Sequence, residues 1–260
     1  MANVDHSMRD GFSTAGSPGT GLSTMRRNSS MFDIYSEQGK GTIILSRYWT
    51  RAIKDSLPVR PLEIGAVCLP LEGEDFCGDG WAVEQTEQKS LVLVADGIGH
   101  GFHAAEASRE AVSLFRKNKA SSPAVIIEAL HIGLRGTRGA VIAVAEVDHI
   151  SHIVRYAGIG NITGKTATNE IEKSMVSHNG TAGHDVRKIQ EFDYPWNDES
   201  ILIMNSDGLV TGLSLAHYPR LANRHPTIIA ALLYRDYARG RDDATVVVAK
   251  KRRPCSINCL

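Results

Sequence analysis

Apolar positions between residues 62 and 250 mostly follow the patterns typical of β-strands, and three segments show helical spacing instead. One predicted helix opens with Ser122-Pro123, the order preferred at a helix start. Long runs of strands with paired helices favour an α+β fold of two packed sheets flanked by helices. The predicted strands are 63–69, 80–84, 90–95, 139–147, 151–157, 186–192, 200–205 and 244–250, and the predicted helices are 102–117, 122–135 and one following Pro226.

The first 49 residues form a separate, smaller unit in this pattern. Residues 11–22, rich in Gly, Ser, Thr and Pro, predict a loop, followed by a helix over 22–27. A strand over 32–36 and a hairpin partner over 43–45 are too few to bury a core alone. We therefore divide the chain into a fragment at 1–49, a linker at 50–61, a main domain at 62–250 and a basic, cysteine-containing tail at 251–260.

Composition narrows the possible partners and the compartment. The 260 residues carry 29 basic and 29 acidic side chains, so no net charge attracts nucleic acid or anionic lipid. No apolar run approaches the length that spans a bilayer, and no signal sequence is recognisable. The cysteines form no CxxC pair, so we predict a protein of the reducing cytoplasm. From the neutral charge and the short apolar runs, we predict no nucleic-acid or membrane partner. The cysteines are Cys68, Cys77, Cys255 and Cys259.

Four acidic sites, one of them made of two adjacent aspartates, share one local pattern, in which a strand ends at Asp or an Asp adjoins glycine. A single Asp-Gly after a strand is usually a turn, because Asp can bond its own backbone and Gly supplies a positive φ. Four such positions across the main domain favour a shared role for the carboxylates. They are Asp79 in "FCGDGW", Asp96 in "LVADGIGHG", Asp207 in "ILIMNSDGLV", and Asp242 with Asp243 in "GRDDATVVV".

Carboxylates gathered in one buried site repel one another unless cations neutralise them. An oxygen-only set without His or Cys at ligand spacing suits Mg²⁺ or Mn²⁺ better than Zn²⁺. Gly97 lacks a side chain, so its carbonyl could also approach an ion. Because two such ions about 4 Å apart can activate water toward phosphorus, the pattern predicts hydrolysis of a phosphate ester without a protein nucleophile.

Other motifs carry weaker signals. "GIGNITG" at 158–164 favours a turn between strands over a dinucleotide-binding loop, because no helical pattern follows it. Ser206 and the histidines do not form the G-x-S-x-G arrangement of a hydrolase elbow. A histidine could still protonate the leaving oxygen, and His100 is the nearest in sequence to Asp96. We keep His100 as a candidate catalytic residue at the edge of the site.

Taken together, the motifs resemble those of the metal-dependent serine/threonine phosphatases of type 2C, in the bacterial branch named after stage II sporulation protein E. The resemblance implies a β-sandwich of two antiparallel sheets flanked by helices, with two Mn²⁺ or Mg²⁺ ions at one edge. It also implies metal ligation by Asp79, Asp96, Asp207, Asp242 and the Gly97 carbonyl. Asp243, where many relatives carry Asn, is the alternative to Asp242. The motifs are "GDGW", "VADGIGHG", "RGAVIAVAEVD", "HNGTAG", "SDGLVTGL" and "RDDATVVVA".

The N-terminal fragment, with "MRDGFSTAGSPGTGL" and "FDIYSEQGKGTIILSR", resembles the C-terminal half of the GHKL ATPase fold of anti-sigma-factor kinases. The Asp-x-Gly-x-Gly box and the Asn-bearing helix of that fold are missing, so we expect no ATP binding by this chain alone. Met1 is then either an internal residue of a longer protein or the start of a remnant that packs against the phosphatase.

The leading hypothesis is a phosphoserine/phosphothreonine phosphatase. The resemblance implies a phosphorylated anti-anti-sigma (STAS-type) protein as the substrate, with a kinase or anti-sigma protein as a further partner. One alternative is a catalytically weak regulatory protein that uses the phosphatase fold for docking. Another is a two-metal phosphodiesterase, although the neutral charge disfavours nucleic acid as its substrate.

Overall fold

The computed structural model describes residues 1, 3–14, 16–49, 60–168 and 171–252. Most of the predicted linker, the end of the predicted tail, Cys255 and Cys259 lie outside these ranges. The strands are β1 (Met31–Glu37), β2 (Gly41–Arg47), β3 (Leu62–Leu69), β4 (Asp79–Gln85), β5 (Lys89–Gly97), β6 (Ala140–Asp148), β7 (Ile153–Ile159), β8 (Thr163–Ala167), β9 (Glu172–Ser174), β10 (Gly180–Thr181), β11 (Asp185–Val186), β12 (Phe192–Pro195), β13 (Ile201–Asn205) and β14 (Ala244–Lys251). The helices are α1 (Val4–Ser7), α2 (Gly21–Asn28), α3 (Phe102–Lys117), α4 (Pro123–Gly133) and α5 (Pro226–Tyr237).

Two five-stranded sheets, each antiparallel throughout, form the centre of the molecule. The first has the order β12-β7-β6-β5-β4 and the second the order β3-β14-β13-β8-β9. Their facing sides share one apolar core, in which Val92 and Val94 from the first sheet meet Met204 and Val247 from the second. The predicted α+β fold of two antiparallel sheets flanked by helices is confirmed.

The helices cover the outer face of each sheet. The buried side of α3 carries Ala104, Ser108, Ala111 and Phe115 at helical spacing, and α3 and α4 together pack against β5 and β6. On the other sheet, α5 packs against β3 and β14. The result is a four-layer arrangement in which the starts of β4 and β14 and the ends of β5 and β13 meet near one edge.

The N-terminal hairpin β1–β2 packs on the sandwich through α5. Tyr35 lies in the same apolar cluster as Ile229 and Leu233, and Ile43 packs against that cluster. Asp33 accepts the backbone N–H of His225 at 2.7 Å, which ties the hairpin to the first turn of α5. The fragment thus lies on the helix layer of the second sheet.

One predicted strand was wrong. Residues 186–192 do not form a single strand, because β11 ends at Val186 and β12 begins at Phe192. Val186 and Ile189 both pack against the core beside α4, so these two side chains are partly buried although no continuous strand joins them. The short strands β8 to β10 and the one-turn helix α1 were not predicted. None of the helices in the described ranges has both the length and the apolarity needed to cross a bilayer.

Candidate metal centre

Asp79 and Asp96 are direct partners across the antiparallel pairing of β4 with β5. Residues paired in this way point to the same face of a sheet, with their Cβ atoms about 4.5–5.5 Å apart. Asp79 is the first residue of β4, and Asp96 is the last but one of β5. The hairpin therefore brings two of the predicted acids together at one end of the first sheet.

One carboxylate oxygen of Asp79 accepts a hydrogen bond, whereas the other accepts none from the described residues. The hydroxyl of Ser206 donates to Asp79 Oδ2 at 2.6 Å, whereas the buried Oδ1 has no hydrogen-bond partner within the described residues. Burial raises the pKa of Asp79 to about 7, although the Ser206 hydrogen bond opposes this. A buried oxygen without a partner is costly, so Oδ1 has the environment expected of an atom that binds a cation.

Asp96 lies in a field of negative charge. Burial, followed by the charges of Asp79, Asp207, Asp242 and Asp243, raises its pKa to about 8. These interactions require that the other four carboxylates lie near Asp96. The ionised form of Asp96 is thus disfavoured unless a positive charge compensates it.

The second sheet delivers Asp207 and Asp242 to the same edge. A Cβ on Gly208 would lie 1.9 Å from the Asp243 carbonyl oxygen, so only glycine lets the turn after β13 approach the start of β14. Ser206 strengthens this contact, because its backbone N–H donates to the carbonyl of Thr245 and its hydroxyl accepts the Thr245 N–H, each at 3.0 Å. This close approach places Asp207 beside Asp242.

The two adjacent acids at the start of β14 have different environments. Asp243 is buried, and its two carboxylate oxygens accept the backbone N–H groups of Leu71 at 2.8 Å and Gly78 at 2.9 Å. Asp242 is exposed, and partial desolvation with the charges of Asp207 and Asp243 raises its pKa. Asp243 is occupied in holding the segment before β4, which leaves Asp242 as the better candidate ligand.

Gly97 has a packing reason for being glycine. A Cβ at this position would lie 2.1 Å from the carbonyl oxygen of Ala104 in the first turn of α3. The close contact between β5 and α3 therefore already excludes any side chain. Ligation by the Gly97 carbonyl stays a prediction, and the glycine itself is not evidence for it.

His100 lies at the rim of the site. Its side chain is 62% exposed, and Nδ1 lies 2.5 Å from Glu74 Oε1. His100 lies close enough to Asp242 to oppose part of the rise in the pKa of that carboxyl. This placement of His100 agrees with its predicted position at the edge of the site. Its role as a proton donor stays a prediction.

The residues present fit divalent ions. The donor set is all oxygen, and it includes a buried carboxylate oxygen without a partner at Asp79 and a carboxyl with an unfavourable charge at Asp96. Across the described ranges, no three Asp, Glu, His or Cys side chains enclose a single point in the manner of a closed structural site. Ions that also bind water, a backbone carbonyl and substrate oxygens need fewer carboxylates from the protein around each ion.

Two residues that position these acids were not predicted from the sequence. Ser206 holds Asp79, and the Asn161 amide donates to Asp207 Oδ2 at 2.8 Å. Asn161 belongs to "GIGNITG", which forms the predicted turn, between β7 and β8. The only sequence signal for Ser206 is its place beside Asp207, whereas Asn161 gives none, because its contact spans 46 positions.

An apolar rim, which we define as Phe76, Ile98 and Phe102, borders the acidic site. All three are exposed, at 38%, 41% and 54% respectively. Phe76 and Phe102 pack edge to face with their ring centroids 5.6 Å apart. Ile98 directly follows Gly97. Exposed apolar side chains grouped beside a site favour contact with a protein surface.

The family model for stage II sporulation protein E (SpoIIE) matches residues 86–252, more than half of the chain. No curated protein sequence matches this chain. A solved chain from a study of the bacterial stressosome, a modular system adapted to control secondary messenger signalling, is 30% identical, with a TM-score of 0.68 over 73% of this chain and 99% of that one.

Two further solved structures share the fold at lower identity. RsbX in complex with magnesium is 17% identical, with a TM-score of 0.66 over 85% of this chain and 100% of that chain. The PP2C phosphatase domain and a regulatory fragment of SpoIIE from Bacillus subtilis is also 17% identical, with a TM-score of 0.62 over 75% of this chain and 65% of that chain. The predicted two-sheet phosphatase fold agrees with both.

Proposed function

The chain belongs to the SpoIIE family of serine/threonine protein phosphatases, and from this premise we propose that it uses two Mn²⁺ or Mg²⁺ ions to dephosphorylate a STAS-type anti-anti-sigma protein. The observation that carries the metal mechanism is the pairing of Asp79 with Asp96, which places a buried, unpartnered carboxylate oxygen beside a second carboxyl of raised pKa. Both features are unfavourable in a merely structural role.

In this proposal, each sheet contributes two carboxylates to the metal centre. Asp79 and Asp96 bind from the first sheet, and Asp207 and Asp242 bind from the second. When bound, the ions would lower the pKa of water and neutralise the substrate phosphate. Ser206 and Asn161 orient Asp79 and Asp207 through their hydrogen bonds, because a ligand held in one rotamer loses less entropy on binding.

Water, and not Ser206, is the proposed nucleophile. Ser206 has no exposed surface, and its hydroxyl both donates to Asp79 and accepts the Thr245 N–H. A hydroxyl committed in this way cannot reach a phosphorus atom on the substrate. His100, exposed at the rim and paired with Glu74, is the proposed proton donor to the leaving serine or threonine oxygen.

The apolar rim supports a protein substrate. A nucleotide or a small phosphate ester presents mainly polar surface, whereas Phe76, Ile98 and Phe102 offer a hydrophobic contact beside the acids. A folded phosphoprotein can cover this rim while its phosphoserine enters the acidic site. Similarity to a chain from the bacterial stressosome supports a regulatory protein as the partner, and the STAS domain is the substrate class we propose.

The proposal is tested by comparing three substrates with the purified chain in Mn²⁺. They are a STAS-domain protein phosphorylated on serine, the phosphoserine peptide cut from it, and a cyclic dinucleotide. We expect phosphate release to be fastest from the intact domain, slower from the peptide and undetectable from the cyclic dinucleotide. Faster hydrolysis of the cyclic dinucleotide would favour the phosphodiesterase alternative. Tight STAS binding without turnover in any divalent ion would favour the regulatory alternative.

A further inference from the structure

Two cysteines lie side by side next to the acidic site. Cys68 Sγ and Cys77 Sγ are 3.6 Å apart, and both residues are partly buried. Cys68 lies on β3, the edge strand of the second sheet, and Cys77 lies two residues before β4, the edge strand of the first. The pair therefore spans the two sheets where the sandwich opens onto the acids.

This thiol pair is connected to a residue of the site. Cys68 Sγ also lies 3.8 Å from the backbone carbonyl oxygen of Asp79. The segment between the cysteines contains Leu71, whose N–H binds Asp243, and Glu74, which pairs with His100. A covalent bond between the sulfurs would have to draw the end of this segment toward β3, because a disulfide is about 2.05 Å long.

A cavity of about 690 Å³ gives solutes access to both cysteines. Cys68, Cys77 and Asp79 line it together with the cationic side chains Arg109 and Arg116 of α3. Access from this cavity and a second thiol 3.6 Å away are the features of a site of reversible oxidation.

We propose that Cys68 and Cys77 form a reversible disulfide on exposure to a peroxide, and that this modification lowers the metal-dependent activity. One thiolate attacks hydrogen peroxide, the O–O bond breaks, and a sulfenic acid and hydroxide form. The second thiol then attacks the sulfenic sulfur, the S–O bond breaks and water leaves. Overall, two thiols lose two electrons and two protons to one peroxide and give one disulfide and two waters. The effect on activity rests on the proposed function, whereas formation of the disulfide does not.

The test uses the full chain with Cys255→Ser and Cys259→Ser, so that two thiols remain of the four cysteines. After hydrogen peroxide treatment, we expect both thiols to be lost together and a peptide containing the Cys68–Cys77 link, which dithiothreitol reverses. Mn²⁺-dependent phosphate release should fall several-fold in the oxidised protein and recover on reduction. The same protein with Cys77→Ser should form no link and keep its activity under brief peroxide exposure.

Three results would overturn the proposal. Both thiols could stay free at a peroxide concentration that oxidises glutathione, each sulfur could oxidise separately without a link, or the linked protein could keep full activity. Peptide mass alone decides whether the disulfide forms, even if the reduced protein releases no phosphate. A failure of the proposed function is therefore distinguishable from a failure of the thiol chemistry.

Discussion

Asp79 and Asp96 lie opposite each other at the end of the β4–β5 pairing, where one carboxylate has a buried oxygen without a partner and the other has a pKa raised to about 8. Two carboxyl groups in this relationship destabilise a protein unless a cation lies between them. We propose that this pair forms the first-sheet half of a two-ion phosphatase centre.

Asp242 and Asp243 are predicted to have separable roles. Asp242→Asn should weaken Mn²⁺ binding by at least about tenfold with little change in stability, because its exposed carboxylate makes few protein contacts. Asp243→Asn should instead lower the free energy of unfolding by about 1–3 kcal/mol, because an amide nitrogen would face the N–H of Leu71 or Gly78. Calorimetric titration with Mn²⁺ and urea unfolding measure the two effects. The reverse assignment would identify Asp243 as the ligand.

Ser206→Ala is predicted to affect both stability and the metal site. It removes the donor to Asp79 and leaves the Thr245 N–H without a partner, which should cost about 1–3 kcal/mol in unfolding free energy. Metal affinity or activity should fall by about 10–100-fold, because the ligand loses its orienting hydrogen bond.

Ser200→Ala is the matched control for this prediction. Ser200 is equally buried, and its hydroxyl also donates to a side-chain oxygen and accepts a backbone N–H, both of Asn197. It lies immediately before β13, at the opposite end of that strand from Ser206 and Asp207. Similar losses of stability are expected in both variants, with loss of Mn²⁺ affinity only in Ser206→Ala. Equal Mn²⁺ affinity in the two variants would show that Ser206 has a structural role only.

The apolar rim predicts a difference between protein and small-molecule substrates. Ile98→Ser should raise KM for a phosphorylated STAS-domain protein by about fivefold or more, equivalent to about 1 kcal/mol of contact energy. KM for p-nitrophenyl phosphate should stay unchanged, because that substrate does not reach the rim. Ile150→Ser is the control, since Ile150 is also exposed but lies in the β6–β7 turn at the opposite end of the sheet. Equal effects on both substrates would contradict the role of the rim.

His225 predicts how stability depends on pH. Its ring nitrogen accepts the N–H of Thr227 at the start of α5, and burial with the neighbouring charge of Arg47 lowers its pKa to about 4. Because the folded-state pKa lies below the unfolded value of about 6.5, this contribution to stability is present above pH 6.5 and is lost as the pH falls toward 4. His225→Asn, which keeps a capping acceptor, should reduce the loss of stability between pH 6.5 and 5 in urea unfolding. An unchanged slope would contradict this.

The sequence predicted the sandwich better than it predicted the site geometry. Apolar runs such as 91–95 identify strands because burial on both faces requires them. The 186–192 segment failed because Val186 belongs to a two-residue strand that pairs with Gly180, whereas Ile189 packs against the core outside any strand, which no local pattern reveals. The acids were recognisable from their repeated setting, whereas Ser206 and Asn161 act through contacts that only the folded chain creates.

The most direct test measures phosphate release from a phosphoserine protein by the purified chain in Mn²⁺, in excess chelator, and with Asp96→Asn. We expect Mn²⁺-dependent release that chelation abolishes and that Asp96→Asn lowers by at least about 100-fold. In chelator, Asp96→Asn should melt at the same or a higher temperature than the unaltered chain, because the substitution removes an unfavourable buried acid. Full activity in chelator, or an active Asp96→Asn protein, would contradict the metal mechanism.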